Sequence, residues 1–186
     1  MKTSSNVTYV LKLTAILFLV TAVVALLLGG VNALTEARIA NITAEKTAEA
    51  IRTVLESDAQ PETLTDFEDQ TGNVTAVHKM GDDGWAIEVV IGGSQADIHM
   101  MVGIKTDGTV SGISFIDMAE TPGLGDVANQ DSAKGNEFRD QFIGTSGVIA
   151  VDKDGGEIDS LSGATVTSRA VANGVNAALA CAANLS

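Results

Sequence analysis

The longest apolar run, LTAILFLVTAVVALLLGGVNAL from Leu13 to Leu34, holds 22 residues without a charge. As a helix it is long enough to cross a hydrocarbon core of roughly 30 Å. The small-residue triplet Val31 to Ala33 also resembles a signal-peptide cleavage site. However, the run is longer than the roughly 7–15 residues of a signal h-region, which favours an uncleaved anchor. From Ala37 to Glu56 the apolar positions Ile39, Ile42, Ala50, Val54 and Leu55 recur at helical spacing. This predicts an amphipathic helix running on from the anchor as a stalk. Pro61 and the acidic stretch behind it end that helix.

Beyond Pro61 the spacing changes. Val74–Lys79 and Trp85–Ile91 alternate as strands around the turn MGDDG. Ala96–Lys105 and Thr109–Met118 flank Asp107-Gly108, a hairpin signal because glycine supplies the positive φ that the turn needs. NEFRDQFIG (136–144) predicts a short helix, GVIAV (147–151) a strand, DKDGGE a turn and Val166–Ala183 a final helix. The pattern therefore predicts an α+β protein: an N-terminal transmembrane helix, then a domain with a small antiparallel sheet and flanking helices. Its segments are an N-terminal tail at 1–12, the span at 13–34, a stalk with its amphipathic helix at 35–60, and the domain at 61–186.

Charge sharpens this picture. The chain carries a formal net charge of −13, with 24 acidic and 11 basic residues. No acid precedes Glu36, and Lys2 and Lys12 both lie before the apolar run. The positive-inside tendency then puts the N-terminus in the cytoplasm and the domain outside, a single-pass protein of the cell (inner) membrane. So acidic a domain repels nucleic acid, which is excluded as a partner. One cysteine and two histidines leave no zinc or iron–sulfur ligand set, so no metal is assigned. Cys181, in an alanine-rich helical pattern, reads as a small buried thiol, and Trp85 as core.

Two stretches carry chemistry. In DSLSGATVTS (159–168), Gly163 lets backbone approach a ligand and Ser162 is placed to cap the helix that follows. Free N–H groups and the positive helix end suit a phosphate there. Ser162, Thr165, Thr167 and Ser168 add hydroxyls, and Arg169 a charge. The same residues also serve as an ordinary cap, and both readings stand at this point. The P-loop lysine is absent. No G-x-S-x-G frame surrounds Ser162 and no histidine follows it, which argues against a hydrolase and leaves no side chain assigned as a catalytic acid or base. In ETPGLG (120–125), Pro122 and two glycines make a tight loop suited to a planar ligand or to nothing at all.

Taken together, the anchor, AETPGLG, FRDQFIG and IDSLSGATVTSRAV resemble the FMN-binding subunits of membrane redox pumps: the G subunit of the Rnf ion-translocating electron-transport complex and the C subunit of the sodium-pumping NADH:quinone reductase. DSLSGAT fits the flavinylation pattern of that family, an acid, two variable residues, Ser or Thr, then Gly-Ala-Thr. The resemblance implies FMN joined to Thr165 through a phosphoester, and a flavin transferase that reads Asp159, Ser162, Gly163, Ala164 and Thr165. It further implies cofactor contacts from Ser162, Gly163, Ala164, Thr167 and Ser168, and from Glu120, Thr121, Gly123 and Leu124. Relatives often carry a histidine shortly before ETPG, where this chain reads FIDMAETPG.

The function so implied is electron transfer within an Rnf-type complex that couples ferredoxin oxidation and NAD reduction to ion transport. The protein is then a redox subunit without substrate turnover of its own, partnered by the other subunits, the transferase and the membrane. A chain of this length resembles the Rnf subunit more than the usually longer quinone-reductase subunit. The latter and a free-standing extracytoplasmic flavoprotein carrier are the alternatives of the same chemistry. A membrane-tethered phosphate-binding or sensor domain is the alternative of another class.

Overall fold

A computed structural model describes residues 3–57 and 59–185. Lys2, one of the two lysines behind the expected orientation, lies outside the described residues. The expected span and amphipathic helix form one helix, α1 (Thr3–Leu55). Among the described residues it is the one helix long and apolar enough to cross a membrane. Leu17, Phe18, Leu26, Leu27 and Leu28 are exposed along it, as lipid-facing side chains must be.

The chain divides into two compact units, one ending at Ala44 and one beginning at Glu45. In the second, five strands form an antiparallel meander in the order β1 (Glu62–Leu64), β2 (Val74–Lys79), β3 (Gly84–Gly92), β4 (Asp97–Lys105) and β5 (Val110–Met118). The Asp107-Gly108 turn is present: Gly108 has φ 80°, its N–H donates to the Lys105 carbonyl at 2.9 Å, and Asp107 accepts the Thr109 N–H at 2.9 Å. β1 went unforeseen, because ETL sits in an acidic stretch with no alternation; pairing with β2, Glu62 to Lys79 in register, makes it a strand.

Alternation along the strands splits the apolar side chains between two faces. Ile87, Val89, Met100, Val102 and Ile104 pack with the helices α2 (Ala133–Asp140) and α3 (Thr165–Ala182). Close approach of α3 needs its small residues: a Cβ on Gly174 would stand 3.2 Å from the Met100 sulfur. Trp85 and Cys181 lie in this core, and burial pushes the Cys181 thiol above its ordinary range. Met80, Ala86, Met101 and Ile116 on the other face pack with Ala50, Ile51 and Val54 of α1. Residues from the expected stalk thus supply domain core. The Ser111 hydroxyl caps the Val54 carbonyl, and Gly103 and Gly112 leave room for that backbone.

The expected strand 147–151 does not form. Ile149 and Val151 point into the core, but an α3 side chain takes the backbone bonds that a neighbouring strand would supply: Asn176 accepts the Ile149 N–H at 2.8 Å and donates to its carbonyl at 2.7 Å. What remains is a parallel bridge between Val151 and Ile158. The expected helix 136–144 starts earlier, at Ala133, because Ser132 caps it by accepting the Gly135 N–H.

Two outcomes follow from the packing of α1. A chain starting at Glu36 keeps Ala50, Ile51 and Val54 and should fold, whereas one starting at Glu56 should lose cooperative urea unfolding, since it bares Met80, Met101 and Ile116. Gly103→Ala, whose Cβ would strike the Val54 carbonyl and the Ser111 hydroxyl, should lower stability by about 1–3 kcal/mol in the same measurement.

Candidate functional site

The two stretches singled out in the sequence meet in space. The turn between β3 and β4, the loop 120–125 and the start of α3 line a cleft of about 320 Å³. Of the expected site residues, Glu120, Thr121, Leu124, Gly163, Ala164, Thr165 and Thr167 line it, joined by Ser94, Gly125 and Val166. Gly123, Ser162 and Ser168 do not. Gly123 (φ 76°) makes the turn that carries Leu124, and Ser162 is exposed on the approach to the helix. Ser168 is fully buried, accepting the Leu161 N–H and donating to the Ala164 carbonyl, both at 3.0 Å. Its hydroxyl shapes the turn and does not reach the cleft.

Ser162 is not the helix cap that the sequence suggested. The cap position belongs to Ala164, which makes no side-chain cap bond, and among the described residues no side chain satisfies the first N–H groups of α3. The turn is instead closed by backbone, with Ala164 N–H donating to the Leu161 carbonyl and Ser168 N–H opening the helical ladder onto Ala164, each at 2.9 Å. The N–H groups of Thr165, Val166 and Thr167 stand ahead of that ladder and keep the partial positive charge of a helix start.

Glu120 is the buried centre of the cleft, 7 % exposed. Its Oε1 accepts the N–H groups of Ser94 (2.8 Å) and Gln95 (3.1 Å), and its Oε2 accepts the Thr167 hydroxyl at 2.7 Å. Burial favours the neutral acid, but the donors from Thr167, Gln95 and Ser94 outweigh it and hold the carboxyl below its ordinary range. The carboxylate fits because two neighbours lack a Cβ. One on Gly93 would strike its Oε1, and one on Gly125 would stand 2.9 Å from its Oε2 and 2.5 Å from the Thr167 hydroxyl.

The threonines of SGATVTS have opposite surroundings. Thr167 is 1 % exposed and its hydroxyl is committed to Glu120. Thr165 is half-buried and lines the cleft. Leu124, 42 % exposed, and Val166, 54 % exposed, offer an apolar surface beside it. Among the described residues no Lys, Arg or His lines the cleft. Arg169 is turned to Asp154, with Nε and Nη2 each donating at 2.6 Å to one carboxylate oxygen. Asp159, exposed, is held through its backbone by Gln141, and Asp152 accepts the Ser160 N–H at 3.1 Å, so the approach to the helix is well anchored.

Neither histidine takes part in the cleft. Both converge on Glu88, with His99 Nε2 at 2.6 Å and His78 Nε2 at 3.9 Å from its oxygens. His78 shares its sheet face with Met80, beneath α1. A Ser-His-Asp arrangement on Ser162 is therefore absent among the described residues.

Residues 93–180 match a family described as the FMN-binding domain. The chain is 30% identical over 177 residues to the G subunit of the ion-translocating oxidoreductase complex of Methanosarcina acetivorans, across 90% of this chain and 92% of that protein. It is 37% identical over 101 residues to the G subunit of the Na(+)-translocating ferredoxin:NAD(+) oxidoreductase complex of Acetobacterium woodii, covering 50% of this chain and 46% of that one. With the G subunit of the ion-translocating oxidoreductase complex of Erwinia tasmaniensis the identity is 42% over 86 residues, 45% of this chain and 41% of that protein.

The Thr167 bond to Glu120 generates a stability test. Thr167→Val should cost about 1–3 kcal/mol at pH 7, because it leaves a buried carboxylate one donor short. Glu120 is more acidic folded than unfolded, so its contribution is complete above the ordinary value of 4.5 and fades as pH falls through the lower folded value. Urea unfolding should therefore show the gap between the two proteins narrowing below pH 4.5.

Proposed function

The chain belongs to the G-subunit family of ion-translocating oxidoreductase complexes, and from that premise we propose that its domain carries FMN covalently on Thr165 and relays electrons within an Rnf-type complex. The observation that carries the attachment point is the contrast between the hydroxyls. Thr167 and Ser168 are buried and engaged, while Thr165 opens on the cleft beside the uncapped N–H groups of α3. Those groups suit the phosphate, and Leu124 and Val166 suit an apolar ring system. When bound, FMN supplies the electron-accepting chemistry; the chain binds, orients and tunes it. The exposed residues of the approach, Asp159, Ser162 and Gly163, are accessible to a flavin transferase that modifies Thr165 during maturation.

The surroundings of the cleft argue against the alternative of a freely exchanging phosphate ligand. A site that holds a phosphate by charge alone draws on Arg or Lys, whereas this one has a buried, ionised Glu120 and, among the described residues, no lining cation. Attachment by a bond removes the need for electrostatic affinity, and it keeps an extracytoplasmic cofactor from diffusing away. The relatives, each named as a G subunit of an ion-translocating complex, favour the Rnf-type complex over the quinone reductase. The other subunits would bind ferredoxin and NAD. The charge-free run of α1 anchors the protein, and Lys2 and Lys12 ahead of it favour a cytoplasmic N-terminus with the domain outside.

Peptide mass spectrometry after coexpression with a flavin transferase tests the attachment. Thr165→Val should lose the FMN adduct and stay folded, and Thr167→Val should keep it; the reverse pattern overturns the assignment. Orientation is tested by Asp107→Cys on the exposed hairpin turn. A membrane-impermeant thiol reagent should label it in intact cells over little background, since Cys181 is 2 % exposed; labelling only after lysis reverses the topology.

A further inference from the structure

Glu120 does more than shape the cleft. It is a carboxylate fixed by three donors, buried beneath the surface proposed to hold the cofactor, with no cation among the described lining residues to offset it. The other charged side chains on or flanking the three cleft-forming segments are Asp97, Asp126, Asp159 and Arg169. Asp126 is bonded to Gln130 at 2.8 Å, and the one cation, Arg169, is consumed by Asp154. Glu120 is thus the one charged group lining the cleft among the described residues, and the charge of a buried group is little screened by salt.

Uptake of two electrons with one proton leaves the flavin ring one charge more negative, whereas uptake with two protons leaves its charge unchanged. A fixed negative charge nearby opposes the first product relative to the second. We propose that Glu120 sets the reduction potential of the bound flavin, lowering it and drawing a second proton into the reduced form. This rests on the reading that FMN occupies the Thr165 cleft, and it adds a role that hydrogen bonding alone does not supply. Because the donors keep Glu120 ionised throughout the neutral range, its effect on the potential is present where reduction takes up one proton and vanishes where it takes up two.

The test uses the full chain, coexpressed with a flavin transferase and purified, its adduct verified by intact mass before spectroelectrochemical titration from pH 5.5 to 9. Glu120→Gln keeps the shape and the acceptor for Ser94 and Gln95 but removes the charge. It should move the break between the two-proton and one-proton slopes to lower pH and raise the midpoint potential above that break. Ser94→Lys leaves every bond to Glu120 in place, since Ser94 contributes its backbone N–H, and sets an ammonium at the cleft. It should shift both quantities in the same direction and carries the test if Glu120→Gln loads poorly. Loaded variants with the wild-type potential and break overturn the proposal, as does loss of adduct from both variants while the wild type is loaded, which would confine Glu120 to assembly. A wild-type chain without any adduct fails the underlying reading instead.

Discussion

The hydrogen bond from the Thr167 hydroxyl to the buried Glu120 carboxylate joins segments 47 residues apart, and it braces the floor of the cleft. With the Ser94 and Gln95 N–H groups on its other oxygen, Glu120 ties the β3–β4 turn and the 120–125 loop to the first turn of α3. A buried charge of this kind is tolerated only when its oxygens are satisfied. The network therefore rigidifies the three segments together, and the geometry around Thr165 follows from a group that itself bears no cofactor.

This division of labour gives the domain an electrostatic character unlike that of a phosphate receptor. Uncapped N–H groups offer a weak positive end at α3, while the floor beneath is negative. A free anion gains little from such a mixture. On the proposed reading, a bond to Thr165 makes the anion insensitive to it, and the field is left to act on the ring.

Much of the architecture was legible in the residues. Alternation marked β2 to β5, Asp107-Gly108 marked a turn, and SGATVTS marked a helix mouth. What escaped was whatever depends on partners distant in the chain. β1 becomes a strand only by pairing with β2, and 147–151 fails to become one because Asn176 intercepts its backbone. The cap was misplaced for a related reason: a serine ahead of a helix is a local signal, yet the turn is closed by backbone bonds and by Ser168 from within the helix. In the site, ETPGLG and SGAT were visible as motifs, but Ser94 and Gln95 act through backbone N–H groups that any residue type provides, so no side chain advertised them. SGAT already set Thr165 apart from Thr167; what it did not show was that Thr167 is buried and bonded to Glu120.

The absence of a Cβ at Gly93 and Gly125, where it would collide with Glu120, makes the site's mutational landscape strongly epistatic. A larger residue at either glycine is acceptable only if position 120 shortens, and a shorter side chain there strands Thr167 and the two turn amides. Positions 93, 120, 125 and 167 are thus accessible to change as a set, through intermediates that are each less fit, and drift at the cleft is expected to be confined to its exposed rim, at residues such as Thr121.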